Sequence, residues 1–89
     1  MMDMVDFFSN EYNEEQWNNY TKCFKKSNIH IEGIPQDIVN AVVTILGDDV
    51  GYKWLCTPFQ KFNGKNALDL LETPKGARAL KAFIMRLPN

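Results

Sequence analysis

Two Thr-Pro pairs, Thr57-Pro58 and Thr73-Pro74, punctuate the C-terminal half of this chain and restrict its fold more than any other feature. Proline lacks a backbone N–H and pushes the residue before it out of the helical region. A helix running into Thr57 must therefore stop there, whereas Thr73 suits the cap of a new helix with Pro74 at its first position. Between the pairs, "FQKFNGK" reads as a loop with two aromatic anchors, Phe59 and Phe62. Asn66 should cap a brief helix, "ALDLLE", with Asp69 completing a capping box. In the last helix Ala77, Leu80, Ile84 and Leu87 are expected to face the core and Lys75, Arg78 and Lys81 the solvent, with Pro88 ending it.

Upstream the punctuation is weaker. "MMDMVDFFSNEY" mixes apolar and acidic residues without a sustained period, and Phe7 and Phe8 would anchor either on the core or in a partner. A helix is predicted from an Asn13 cap to Asn28, with Glu14, Glu15 and Gln16 in its first turn and Lys25 and Lys26 in its last, an order that suits the macrodipole. Its inward stripe is Trp17, Tyr20 and Phe24. "IHIEGIP" is read as an extended connector ending at Gly33. Pro35 opens a central helix striped by Ile34, Ile38, Val42 and Ile45 and broadened by Val39, Val43 and Leu46. Gly47 stops it. Asp48 or Asp49 caps a shorter helix through "VGYKWL", in which Trp54 should be largely buried against the central and last helices. The expected fold is all-α: about five helices in a small single-domain bundle, with residues 1–33 as an N-terminal helical segment.

With 89 residues the core is modest, so burial in a homodimer or complex would add useful stability. The net charge of −1 gives no bulk attraction to nucleic acid or anionic lipid. Its distribution is uneven: residues 1–40 hold seven acids and three bases, residues 41–89 four acids and seven bases. Cys23 and Cys56 form no disulfide framework and sit beside helical stripe positions, so buried, inert thiols are expected. "MMDMVDFFSN" lacks the basic start and apolar run of a secretory signal, and no stretch has the length to cross a bilayer. A cytoplasmic location is the expectation.

Catalysis needs converging groups, and the sequence offers few. His30 is the only histidine, and neither cysteine stands at metal-ligand spacing from it. Asp48-Asp49 fits a helix start better than a carboxylate pair, Met85 fits packing better than ligation, and "FNGKN" lacks a phosphate-loop pattern. No enzyme activity, cofactor or metal is expected. "IVNAVVTILGDDVGYKWL" has helix-turn-helix outlines, but Tyr52, Lys53 and Trp54 are poor base readers, so specific DNA binding is not expected.

The order Trp54-Leu55, Thr57-Pro58, Gly64, Leu68-Asp69-Leu70-Leu71, Thr73 and Gly76 resembles the C-terminal toxin-binding domain of Xre/MbcA/ParS-type bacterial antitoxins. "ILGDD" before Trp54 is similar to that family's approach to Trp-Leu, and the resemblance covers roughly residues 38–87, within an antitoxin-like domain at 34–89. Asn63 and Lys65 flank Gly64 where the family tends to have Gly and Arg, and Asn66-Ala67 replace Ser/Thr-Pro. Most of these residues read as structural: Leu68, Leu70 and Leu71 fix the following helix, and Gly76 costs stability unless close packing needs it. The resemblance implies a toxin-antitoxin system, with a RES-type toxin that consumes NAD or ADP-ribosylates a target as the partner. It implies that the last helix and C-terminus cover the toxin's active site, with Arg78, Lys81, Met85, Arg86 and Leu87 as contacts. The alternatives are a DNA-binding regulator and an orphan helical interaction module.

Overall fold

Asp3 sets the first helix by accepting the Val5 N–H at 2.7 Å, and the computed structural model describes residues 3–22, 24 and 26–87. Helix α1 (Met4–Glu11) follows that cap and places Phe8 in the core, only 2% exposed. The sequence gives no period here because two turns are too short to display one, and the exposed Phe7 beside Phe8 masks the inward face. After a two-residue break, the Asn13 side chain accepts the Gln16 N–H at 3.0 Å and starts α2 (Glu14–Thr21).

Helix α2 does not reach Asn28. Thr21, a β-branched residue, turns its hydroxyl back to the Trp17 carbonyl at 3.0 Å, which competes with continuation of the helix. Side chains then satisfy the backbone further along: Ser27 N–H donates to Asn40 Oδ1 (2.8 Å) and Ile29 N–H to Ser27 Oγ (3.0 Å). Gln36 reinforces the connection, donating to the Ile29 carbonyl at 3.1 Å and to Asn40 Oδ1 at 2.9 Å. Lys26 lies outside any helix, while Lys25 and Cys23 fall outside the described residues. Phe24, though off the helix, still packs edge-on against Tyr20 at 4.9 Å.

Helix α3 (Gln36–Leu46) is the central one, with Ile38, Val39, Ala41 and Val42 fully buried. Pro35 sits one place before its first turn, with its carbonyl taking the Ile38 and Val39 amides. Gly47, at φ 90°, ends α3 and also stands at the N-cap of α4 (Asp48–Cys56). The cap expected from Asp48 or Asp49 is therefore absent; both acids sit inside the first turn, where the helix dipole favours them. Gly51 lets α4 approach α3 closely, since a Cβ there would stand 3.2 Å from Val43 Cα.

The punctuated segment folds largely as its sequence indicates. Thr57 ends α4, its hydroxyl donating to the Lys53 carbonyl at 2.6 Å. The loop then pairs Phe59 with Lys65 (N–H to carbonyl, 2.9 Å) around a short 3₁₀ turn at Gln60–Phe62, and both phenylalanines are buried. Asn66 and Asp69 form the reciprocal capping box of α5 (Ala67–Leu70), at 3.0 and 3.1 Å. Thr73 Oγ1 accepts the Gly76 N–H at 3.0 Å and opens α6 (Pro74–Ile84). Gly76 is required by close packing: a Cβ there would lie 2.0 Å from the Leu70 carbonyl oxygen.

Five packing expectations need correction. Leu68 is 45% exposed rather than a core residue, because Leu70 takes the inward position of a helix barely longer than one turn. Cys56 is exposed, since the helix ends there and Leu55 fills the core instead. Trp54 is half-buried, stacked on Phe59 and Phe83. In α6 the buried residues are Gly76, Ala79, Leu80, Ala82 and Ile84; Ala77 and Leu87 are only half-buried, and Pro88 lies outside the described residues.

All described elements contribute to one all-α globule. Phe8 and Trp17, from before residue 34, share a single apolar cluster with Ile38, Leu55, Phe62 and Leu80 from after it. The boundary at 33/34 is thus one of sequence pattern, and packing runs straight across it.

Candidate functional site

The uneven charge of the chain has a structural expression. Helix α1, bearing Asp6 and Glu11, lies along α6, and the two pair through Asp6 with Lys75 and Glu11 with Arg86. Between these pairs, Arg78 Nε donates to Ser9 Oγ at 3.4 Å. The acidic start of the protein is therefore folded onto its basic end.

The residues expected at the partner surface lie along α6 and just beyond its end. The Arg86 guanidinium, beyond the C-terminus of α6, reaches Glu11 and lies 5.4 Å from the Phe8 ring centre and 5.7 Å from that of Phe7. Lys81 is half-buried rather than solvent-facing, its ammonium 5.7 Å from the Tyr12 ring and 5.6 Å from Trp17. Met85 and Leu87 are half-buried, and Leu87 N–H donates to the Ile84 carbonyl at 2.9 Å. Arg78 and Arg86 remain exposed. Arg78 and Arg86 engage α1, whereas Lys81 meets Tyr12 and Trp17 beyond it.

Tyr12 reports the character of this junction. Its phenol is pushed above its ordinary range, chiefly by burial and then by the nearby charges of Glu14 and Asp37, with Arg78 opposing them. Burial alone raises Tyr20. Close by, Trp17 donates its indole N–H to Asp37 Oδ2 at 2.9 Å, tying α2 to the first turn of α3.

The Trp54–Phe59 stretch builds a second feature. Thr57 and Pro58 carry the chain away from α4, leaving Trp54 over Phe83 (ring centres 5.8 Å apart, planes at 19°) and beside Phe59 (4.6 Å). These residues, with Gln60 and Lys61, line an open groove of about 310 Å³. The Lys61 ammonium lies 5.6 Å from the centre of the Phe83 ring. A larger groove of about 490 Å³ runs between the Lys26–Ile29 connector and α3, but Lys26 and Asp48 give it charge of both signs and its lining is mixed.

Most residues of the 54–76 pattern serve the fold. Thr57 and Thr73 terminate and cap helices, Asp69 completes the box, Leu55 and Leu70 are core, Leu71 is half-buried, and Gly64 takes φ 84° in the loop. Trp54, Thr57 and Pro58 also line the aromatic groove. Sequence reasoning missed Phe83 and Lys61, because a loop and a helix far apart in the chain bring them together. It also missed the role of Asp6 and Glu11, for which the charge asymmetry was the available signal.

Among the described residues no group of three or more His, Cys, Asp or Glu side chains is placed to hold a metal ion. His30 Nδ1 is instead 2.6 Å from Gln36 Oε1, in the connector network. No described helix is long and apolar enough to cross a membrane. Compared with known proteins, the chain matches no family model, no curated protein and no solved structure.

Proposed function

We propose that this protein is a non-catalytic binding module of the antitoxin type, whose partner is a RES-type toxin that it neutralises by covering the active site. One observation carries the reading. At its punctuating positions the pattern at residues 54–76 has the local physics that the resemblance implies: a helix stop at Thr57, a capping box at Asn66 and Asp69, a cap at Thr73, and a glycine at 76 that no larger residue can replace without moving Leu70. Such agreement over a short stretch supports a shared design at the level of the fold, and partner choice follows from it by analogy.

The contact set is Arg78, Lys81, Met85, Arg86 and Leu87. Arg86 is the member suited to an anion-binding pocket, since a guanidinium pairs bidentately with phosphate or carboxylate. Its present pair with Glu11 does not bar that use. Both side chains are more than a third exposed, and exposed ion pairs contribute roughly 0–1 kcal/mol. Exchanging Glu11 for a toxin group therefore costs little, and α1 can stay docked through Phe8.

The deciding test is co-expression with the product of the adjacent gene. Co-purification and rescue of growth by the wild type are expected, with rescue lost in Arg86→Glu. Equal rescue by both proteins removes Arg86 from the mechanism, and absence of any complex removes the toxin reading.

A further inference from the structure

The groove lined by Trp54, Pro58, Phe59 and Phe83 has three features that together specify an occupant. Its floor is aromatic and only partly covered: Trp54 is half-buried, and among the described residues its indole N–H donates to no protein acceptor, unlike that of Trp17. Large aromatic side chains with a free polar edge are the usual anchors of protein interfaces. The apolar strip also continues. Val50, one helical turn before Trp54 on the same face of α4, is 57% exposed.

Among the described residues the one charged side chain that lines the groove, Lys61, is basic. Residues 53–65 hold Lys53, Lys61 and Lys65 and no acid, in a chain whose net charge is −1. Lys61 lines the groove itself, Lys53 is exposed next to Trp54 on α4, and Lys65 is exposed at the far end of the loop, where it lines a separate pocket with Asp69 and Glu72. Among the described residues no carboxylate lines the groove. An occupant that meets this surface carries an aliphatic or aromatic side chain for the floor and carboxylates for Lys61 and Lys53. Single-stranded nucleic acid suits it less: Trp54 and Phe83 already stack on each other, which removes faces that bases would use.

We infer that this groove docks an acidic segment of another protein, anchored by an apolar side chain between Trp54, Pro58 and Phe83. The inference does not rest on the toxin reading, because the groove residues are not among the five contacts at the basic end.

The test presents the full chain to a random-peptide library displayed on phage, with the Lys61→Glu and Arg86→Glu proteins as parallel baits. Selected peptides are expected to place Asp or Glu beside Leu, Phe or Trp. The best synthetic peptide should shift the amide signals of Trp54, Lys61 and Phe83. Lys61→Glu should weaken it roughly tenfold, whereas Arg86→Glu should leave it unchanged. Lys61 is exposed, so its variant keeps the fold, checked by an unchanged melting curve. A neutral or basic consensus overturns the proposal, as do signals confined to α1 and tighter binding of oligothymidylate at the groove. Closure of the groove by self-association of the chain, or no enrichment over a Trp54→Ala bait, also overturns it.

Discussion

Trp17, on the two-turn helix α2, is 1% exposed and donates its indole N–H to Asp37, whereas Trp54, in the most clearly punctuated part of the sequence, is only half-buried against Phe59 and Phe83. The difference lies in what each surrounding offers a polar edge. Burying an indole without a partner for its N–H forfeits a hydrogen bond to water, at about 1–3 kcal/mol. Asp37, in the first turn of α3, supplies that partner for Trp17. Around Trp54 the rings of Phe59 and Phe83 accept nothing, and Thr57 and Gln60, which line the same groove, do not take its N–H, so the ring keeps contact with solvent. Residue type sets how much apolar area is available; the polar neighbour decides whether all of it is buried.

The sharpest way to break this comparison is to truncate both rings. Trp17→Ala should cost about 3–5 kcal/mol, as large aromatic truncations in cores do. In a protein of this size that consumes much of the folding free energy, so the variant should be largely unfolded at 37 °C by circular dichroism. Next in size is Gly76→Ala. Alanine would gain about 1 kcal/mol of helix propensity, but its Cβ meets the Leu70 carbonyl oxygen at 2.0 Å, and overpacking costs roughly 1–3 kcal/mol. Backbone cannot swing aside as a side chain can, so net destabilisation by about 1–2 kcal/mol is expected in urea unfolding. A more stable variant would show that α5 and α6 slide apart freely.

Trp54→Ala should come third, at about 1–2 kcal/mol, because only part of the ring's area leaves water on folding. A loss as large as that of Trp17→Ala would mean that the groove closes in solution and that the two rings are equivalent after all.

The same contrast explains what the sequence conveyed. Caps and stops are local: Thr57, Asn66, Asp69 and Thr73 act within four residues of themselves, and each is readable without knowing the rest of the fold. The central stripe of α3 was legible for the same reason. Long-range pairing was not. Nothing near Phe8 in the chain announces Phe62 and Phe83, its ring partners at 5.6 and 5.3 Å, and nothing near Glu11 announces Arg86. The end of α2 was misread because a charge order suited to a long helix continued past the residue where Thr21 and the Asn40–Gln36 network take over. At the candidate site, individual residues were visible but their neighbours were not, so Arg86 looked free and Trp54 looked buried.

Arg86→Glu carries the smallest expected effect and tests the other half of the molecule, where charge rather than an apolar ring meets solvent. The substitution removes the pair with Glu11 and the cation over Phe7 and Phe8, and sets two carboxylates against each other. Each contribution is small at an exposed site: up to about 1 kcal/mol for the pair and about 0.5–1 for the cation–π contact. Phe8 still holds α1 in the core. At about 4–8 °C per kcal/mol for a domain of this size, the melting temperature should therefore fall by roughly 4–10 °C, and the fall should shrink in high salt as the repulsion is screened. Adding Glu11→Arg to the same protein should recover part of the loss, which a double-mutant cycle measures directly. Failure to recover would assign the cost to the aromatic contact. A loss approaching that of Trp17→Ala would show that α1 depends on its charges for docking, and that Arg86 is not free to leave Glu11 for a partner.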